Sequence, residues 1–354
     1  MPLSQARLRF MLSVTPTPIL KPPFPWFGGK SRVAPLVWQY FGDPKNYVEP
    51  FAGSIATVLL RPDYDPFRHT ETVNDLDCYL ANFWRAVQSD PEAVAYWCDS
   101  PVNEADLSAR HQWLVNQSEF RELMKTDPDY FDPKIAGWWV WGLCAWIGSG
   151  WCKLPRVVTD DALGDNGRGV HRQLPHLGDN GRGVHRQLPH LGNNGWGASQ
   201  ASDLYEYFEA LADRLRRVRV CCGDWGRVLG ASPTEKIGVT GIFLDPPYAD
   251  TAKRCKDLYA QDSLSVAHEV REWAIANGQN PKLRIALCGY EGEHLMPSDW
   301  ECIPWKAAGG YGSQRHGNPI ANGKKERIWF SPHCLKQHAT ESLQLDFKAQ
   351  KVAA

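Results

Sequence analysis

The sequence predicts an α/β protein, with a parallel or mostly parallel sheet and helices on both faces. Three observations predict it. Short apolar runs alternate with amphipathic helical stretches from Asn46 to Phe330, the pattern of β-α-β units rather than of hairpins. Several of these runs stop at an acid: Glu49, Asp75 and Asp245 directly, and Asp224 after a glycine. The composition, 43% hydrophobic and 22% charged over 354 residues, is that of a folded chain with two domains, or one large domain carrying an insertion.

Residues 1–21 are irregular and proline-containing and are expected to form a loose arm. The first residues carry two arginines and a short apolar patch but no clean small-residue cleavage site. No signal peptide is therefore expected, and Met11 is an alternative start. From Asn46 the alternation begins. Tyr47-Val48 is an apolar strand running into the tight turn Glu49-Pro50-Phe51-Ala52-Gly53-Ser54, and Glu71-Thr72-Val73 is a second strand ending in Asn74-Asp75. Leu76, Tyr79, Leu80, Phe83, Trp84 and Val87 then fall at helical spacing.

The middle differs. Residues 100–199 hold few strand signals, and Trp138, Trp139, Trp141, Trp146 and Trp151 crowd together there, as expected of a buried helix followed by a loop. GDNGRGVHRQLPHL at 164–177 recurs identically at 178–191, followed by the fragment GNNGWG at 192–197. Glycine and Asp-Asn-Gly turn chemistry make this an extended loop or hairpin rather than a solenoid core. The histidines of the repeat match no zinc spacing, so no metal is expected. After the insertion, Leu204, Tyr207, Phe208, Leu211 and Leu215 mark a helix feeding the strand Val218–Cys222. Gly241–Leu244 is a strand ending at Asp245, Arg284–Cys288 and Arg327–Phe330 are two more, and 336–354 is a loose tail.

The ten cysteines form no C-x-x-C and read as buried small residues in a reducing cytoplasm. No run approaches the ~20 apolar residues of a membrane helix, so no membrane partner is expected. Net charge is −1, which announces no polyanion, but it is unevenly spread. Residues 61–135 carry 15 acids and 7 bases, whereas 301–336 carry 6 bases and 2 acids, a basic strip fit either for nucleic acid or for plain solvation.

In such sheets ligands sit beyond the carboxyl ends of the strands, and four acids on one rim are more than core packing requires. Asp245-Pro246-Pro247-Tyr248 is the most informative tetrapeptide. The carboxylate accepts from an amino N–H, the prolines present carbonyls without competing donors, and the tyrosine offers a stacking face. Together these suit a planar ring bearing an exocyclic amine. Gly53 lets a cofactor approach the backbone. Asp75 either accepts from ribose hydroxyls or caps the helix before Leu76. Asp224 and Trp225 suit an adenine. Gly29-Lys30-Ser31 imitates a phosphate-binding loop, but Phe24 stands where its first glycine belongs, so a triphosphate site is not expected.

Taken together, PWFGGK (25–30), YVEPFAGS (47–54), VNDLD (73–77), LDPPY (244–248) and the tail from Gly309-Gly310 through Glu326-Arg327-Ile328-Trp329 resemble the Dam-like class of adenine-specific DNA methyltransferases. The five anchors occur in that family's order over roughly residues 22–335. The resemblance implies a Rossmann-like methyltransferase sheet formed by 22–99 and 200–335, plus an inserted target-recognition domain at 100–199. It implies S-adenosylmethionine as cofactor, held by Trp26, Lys30, Glu49, Phe51, Gly53, Asp75, Asp224 and Trp225. It also implies a catalytic clamp of Asp245, Pro246, Pro247 and Tyr248, and methyl transfer to a flipped adenine in double-stranded DNA. Ile55-Ala56 departs from the family's small-residue turn.

Arg168, Arg172, Arg182 and Arg186 of the repeat, Lys253 and Arg254 after the clamp, and Lys324 and Lys325 before the last strand are the candidates for phosphate contact. A solvated loop remains the other reading of each. The expected setting is the cytoplasm of a bacterial or phage-infected cell. A restriction–modification enzyme would have a cognate endonuclease as partner, and a solitary phage-type enzyme would not. Methylation of the cytosine amine and a catalytically idle DNA-binding module are the competing readings.

Overall fold

The computed structural model describes residues 20–24, 26, 29–127, 129–146, 151–152, 201–247, 265–305 and 326–335, with the side chains of 201–203 excepted. The first helix, α1 (Ala34–Phe41), leads into β1 (Asn46–Glu49), the short turn of helix α2 (Ala56–Leu59) and β2 (Thr70–Asp75). A helical block follows: α3 (Cys78–Ser89), α4 (Pro91–Cys98), α5 (Glu104–Val115), α6 (Phe120–Thr126) and α7 (Pro133–Ala145). Then come α8 (Ala201–Leu215), β3 (Val218–Cys222), β4 (Thr240–Leu244), α9 (Val266–Asn277), β5 (Leu283–Tyr290), β6 (Glu301–Pro304) and β7 (Glu326–Phe330).

The strands form one seven-stranded sheet in the order β3-β2-β1-β4-β5-β7-β6. From β3 to β5 every pairing is parallel. β7 runs antiparallel to both β5 and β6. The chain winds outward from β1 in both directions, so β1 and β4 flank the point where strand order reverses. In open α/β sheets that point opens a crevice at the carboxyl edge.

Alternation along each strand divides the core into two layers. Tyr47, Phe243, Ala286, Cys288, Ile328 and Phe330 face a layer shared with α1, α3, α4, α7 and α8. Their neighbours Val48, Ile242, Leu244, Ile285, Leu287 and Trp329 face a smaller layer shared with α9 and with Val228 and Leu229. A strand buried on both sides reads as a continuous apolar run, as GIFL and IALC do. Helix starts are set by side chains. Asp77 accepts from the Tyr79 N–H, Asp90 from Ala93, Asn103 from Asp106 and Asp132 from Ile135, each cap contributing about 1 kcal/mol.

The residues of 100–146 are not set apart from the sheet's helices. α7 packs against α3 and α4, and Asn82 ties its start to α3, donating to the Asp132 carbonyl at 2.9 Å and accepting from its N–H at 2.8 Å. Trp139, Trp141 and Trp151 are buried in this layer, while Trp138 and Trp146 sit partly buried at its margin. The repeat lies outside the described residues.

Some elements differ from the sequence reading. Leu76 is 45% exposed and precedes the Asp77 cap, so it belongs to the turn rather than to the helical face. Strand β6 was not expected from the sequence, and neither were helices α1 and α9. Below β2, buried Glu71 accepts bidentately from Arg214, at 2.8 and 3.1 Å, and from Arg61 at 3.3 Å. This network holds α8 beneath the sheet's amino edge.

Candidate active site

The four acids stand on one rim. Glu49 and Asp75 are the last residues of β1 and β2, Asp245 directly follows β4, and Asp224 lies two residues after β3. Their strands are parallel and laterally paired, so the carboxyl edge carries all four.

At its centre, Lys30 Nζ lies 2.7 Å from Asp245 Oδ2. Lys30 is held by the turn that begins α1, its carbonyl accepting from the N–H groups of Val33 and Ala34. Its side chain is 6% exposed, and its ammonium lies 5.5 Å from the centre of the Trp305 ring, at the end of β6. Burial disfavours the Lys30 charge, but Asp245, with Cys288 and Glu326 behind it, outweighs that cost and raises its pKa. Burial pushes the Asp245 carboxyl up, and Lys30 pulls it part of the way back. Glu49 completes the group. It is buried and accepts from the Tyr47 hydroxyl at 3.0 Å. Burial holds its carboxyl well above the usual range; the Tyr47 hydrogen bond opposes this, and the Asp245 charge adds to it.

The turn after β1 is shaped by close packing. Gly53 has φ +48°, and a Cβ there would lie 2.4 Å from Trp26 Nε1, so only glycine fits. Its N–H donates to Asp75 Oδ2 at 3.0 Å, and its carbonyl accepts from Trp84 Nε1 at 3.2 Å. Asp75 Oδ1 accepts from the Asp77 N–H at 3.0 Å. Burial raises the Asp75 carboxyl to about 6 against these hydrogen bonds. Asp75 therefore ties the turn to β2, and Asp77, not Asp75, caps the following helix. Asn74 donates to the carbonyls of Pro50 and Gly223, at 3.1 and 2.9 Å, joining the ends of β1, β2 and β3.

Ile55 is left-handed, with φ +48° and ψ +28°, in the turn between β1 and α2. For a β-branched residue this is a strained conformation. Farther along the rim, Asp224 is exposed and accepts from the Gly226 N–H at 2.9 Å, starting a 3-10 turn that carries Trp225. The Trp225 and Phe51 rings lie 6.2 Å apart at 26°.

Of the cofactor residues expected from sequence, Trp26, Gly53 and Asp75 form one contact group, Lys30 pairs with the clamp residue Asp245, and Phe51 lies beside Trp225, while Glu49 bonds to Tyr47 and Asp224 to its own turn. Pro246 is buried and Pro247 half-buried beside Asp245. Tyr248, Lys253, Arg254, Lys324, Lys325 and the repeat arginines Arg168, Arg172, Arg182 and Arg186 lie outside the described residues. Sequence reasoning missed Trp305, Cys288 and Glu326. Glu326 opens the strand of a recognised tail motif and had a signal to follow. Trp305 had none, because β6 was not legible. Among the described residues there is no cluster fit for a metal ion, and no helix is long and apolar enough to cross a membrane.

Neither any protein-family model nor any curated protein matches this chain.

Proposed function

We propose that this chain is an S-adenosylmethionine-dependent methyltransferase acting on the exocyclic amino group of adenine in DNA. The observation that carries the reading is the Lys30–Asp245 ion pair at the reversal point of the sheet. It joins two motifs, PWFGGK and LDPPY, that stand 215 positions apart. The Asp75-bound Gly53 turn adjoins the same edge. The reversed β7, inserted between β5 and β6, supports the expected Rossmann-like methyltransferase sheet.

The residues present fit the cofactor. Gly53 lets the Trp26 ring pack directly against the turn, where a Cβ would lie 2.4 Å from its Nε1. Asp75 supplies a carboxylate for hydroxyl donors, and Phe51 and Trp225 are near-parallel rings suited to a purine. When bound, S-adenosylmethionine supplies an electrophilic methyl group on a sulfonium centre.

The chain's own groups then act on the amine. Asp245 and the Pro246 carbonyl accept hydrogen bonds from the amino N–H groups, which aims the nitrogen lone pair toward the cofactor side. Lys30 favours the ionised form of Asp245 against its burial, so negative charge faces the nitrogen as positive charge develops on it. No strong base is required, because the amine loses its proton after transfer. The target adenine must leave the duplex stack, at a cost of about a few kcal/mol, and Tyr248 is the residue expected to stack it.

The test is methyl transfer from labelled cofactor to unmethylated duplex DNA, with nucleoside analysis. Labelled methyladenine, lost in Asp245→Ala, is the expected result. Labelled methylcytosine would overturn the base assignment. Cofactor binding without any label in DNA would overturn the DNA-enzyme reading.

A further inference from the structure

Cys98 Sγ donates to the Gly137 carbonyl, Cys144 Sγ to that of Pro23 and Cys334 Sγ to that of Ile285. One pair of described thiols behaves differently. Cys222 Sγ lies 3.7 Å from Cys78 Sγ. Cys78 is the first residue of α3, directly after the Asp77 cap, and Cys222 ends β3, paired in register with Asp75. Cys78 is buried and Cys222 is partly exposed. We infer that Cys78 and Cys222 are a peroxide-responsive pair that closes to a disulfide beside the Asp75 end of the site.

The geometry favours the step. A closure of about 1.7 Å brings the sulfurs to the ~2.05 Å bond. Cys78 sits at the amino terminus of a 12-residue helix, where the helix dipole stabilises a thiolate. The hydrogen bond from Cys222 also lowers its pKa, outweighing burial. Hydrogen peroxide is small enough for a buried sulfur and is the oxidant proposed. Cys78 sulfur attacks one peroxide oxygen, and the O–O bond breaks. The departing hydroxide takes a proton and leaves as water, with sulfenic acid on Cys78. Cys222 sulfur then attacks Cys78 sulfur, the S–O bond breaks, and a second water leaves. Two thiols are oxidised to one disulfide, and one peroxide is reduced to two waters.

The bond would fasten the start of α3 to the end of β3 across the Asp75 loop, where Gly223 already donates to the Asp75 carbonyl at 2.9 Å. Affinity for the ligand bound at Asp75 should therefore fall on oxidation; this half of the inference rests on the proposed function.

The experiment treats the full chain with hydrogen peroxide, removes the oxidant, unfolds the protein, alkylates remaining thiols and digests without reduction. The expected result is a linked peptide pair containing Cys78 and Cys222, lighter by two hydrogens than the separate peptides and split by dithiothreitol. S-adenosylmethionine affinity, read by calorimetry, should drop about fivefold or more and recover on reduction. In Cys222→Ser the linkage should vanish, and Cys78 should instead carry a dimedone adduct when the peroxide-treated protein is unfolded in the presence of dimedone. Separate alkylation of both cysteines after peroxide, or linkage to other partners, overturns the pair. Linkage with unchanged affinity overturns its regulatory role. Reduced protein that binds no S-adenosylmethionine overturns the cofactor reading, while the mass of the linked peptides still decides the thiol chemistry.

Discussion

Replacing Lys30 by methionine removes the countercharge of Asp245 and keeps most of the side-chain volume. Breaking a buried pair from one side costs about 3–5 kcal/mol when the remaining charge stays ionised. Asp245 can escape that cost by taking up a proton, so the penalty depends on pH. Its folded pKa is already raised by burial, and without Lys30 it should rise further, each unit corresponding to about 1.4 kcal/mol. Below the ordinary aspartate value near 4, Asp245 is neutral in both folded and unfolded states and the variant lacks little. As pH rises from there to the raised folded value, the unfolded state releases its proton and the folded state does not, so stability is lost across that window. The full deficit stands above it. Thermal unfolding of Lys30→Met against the parent should therefore show a deficit of about 6–10 °C at pH 8, at ~2 °C per kcal/mol for a chain of this size. The deficit should fall by more than half at pH 5. Adding Asp245→Asn should restore most of the loss at pH 8, because the stranded charge is gone. Equal deficits at both pH values, or no rescue by the second substitution, would refute the account.

Asp75 carries a raised carboxyl at about 6, so its contribution is most favourable below pH 4 and is lost as pH rises to 6; urea unfolding at pH 4 and 7 should show a drop of roughly 2–3 kcal/mol that Asp75→Asn reduces. Gly53→Ala forces a Cβ into Trp26 at positive φ and should cost over about 2 kcal/mol in denaturant unfolding. Ile55→Gly sets backbone relief of about 1–2 kcal/mol against loss of a fully buried side chain worth about 3–4 kcal/mol; packing wins, and the variant should unfold at lower urea. Glu71→Gln strands Arg61 and Arg214 and should destabilise by about 3–5 kcal/mol, measured in the same way.

Strands β1, β3 and β4 were legible because each is a largely apolar run closed by an acid or a turn, and β2, Thr-Glu-Thr-Val-Asn-Asp, because it stops at an acid before a helical pattern; both signals are contained in a few neighbouring residues. Leu76 misled because it continues the helical spacing of Tyr79 and Leu80, yet the Asp75-Leu76-Asp77 turn holds it outside the helix. Strand β6, Glu-Cys-Ile-Pro at the sheet margin, is largely exposed and lacks the alternation that marks a half-buried strand; only pairing with β7 makes it one. Within the site, the motifs named Lys30 and Asp245 separately, and their 2.7 Å contact is a product of the sheet's winding. The Ile55 strain was legible only as a departure from a family pattern, since no local rule places a β-branched residue at positive φ.

The reversed strand has a consequence for synthesis. β7 ends at Phe330 but sits between β5, complete at Tyr290, and β6, complete at Pro304. While the ribosome makes the intervening residues, at ~5–20 per second, β5 and β6 have no partner on their facing sides. The growing chain therefore exposes two open backbone ladders until Glu326–Phe330 has been made. Truncation before Glu326 should leave a sheet prone to pair with other chains.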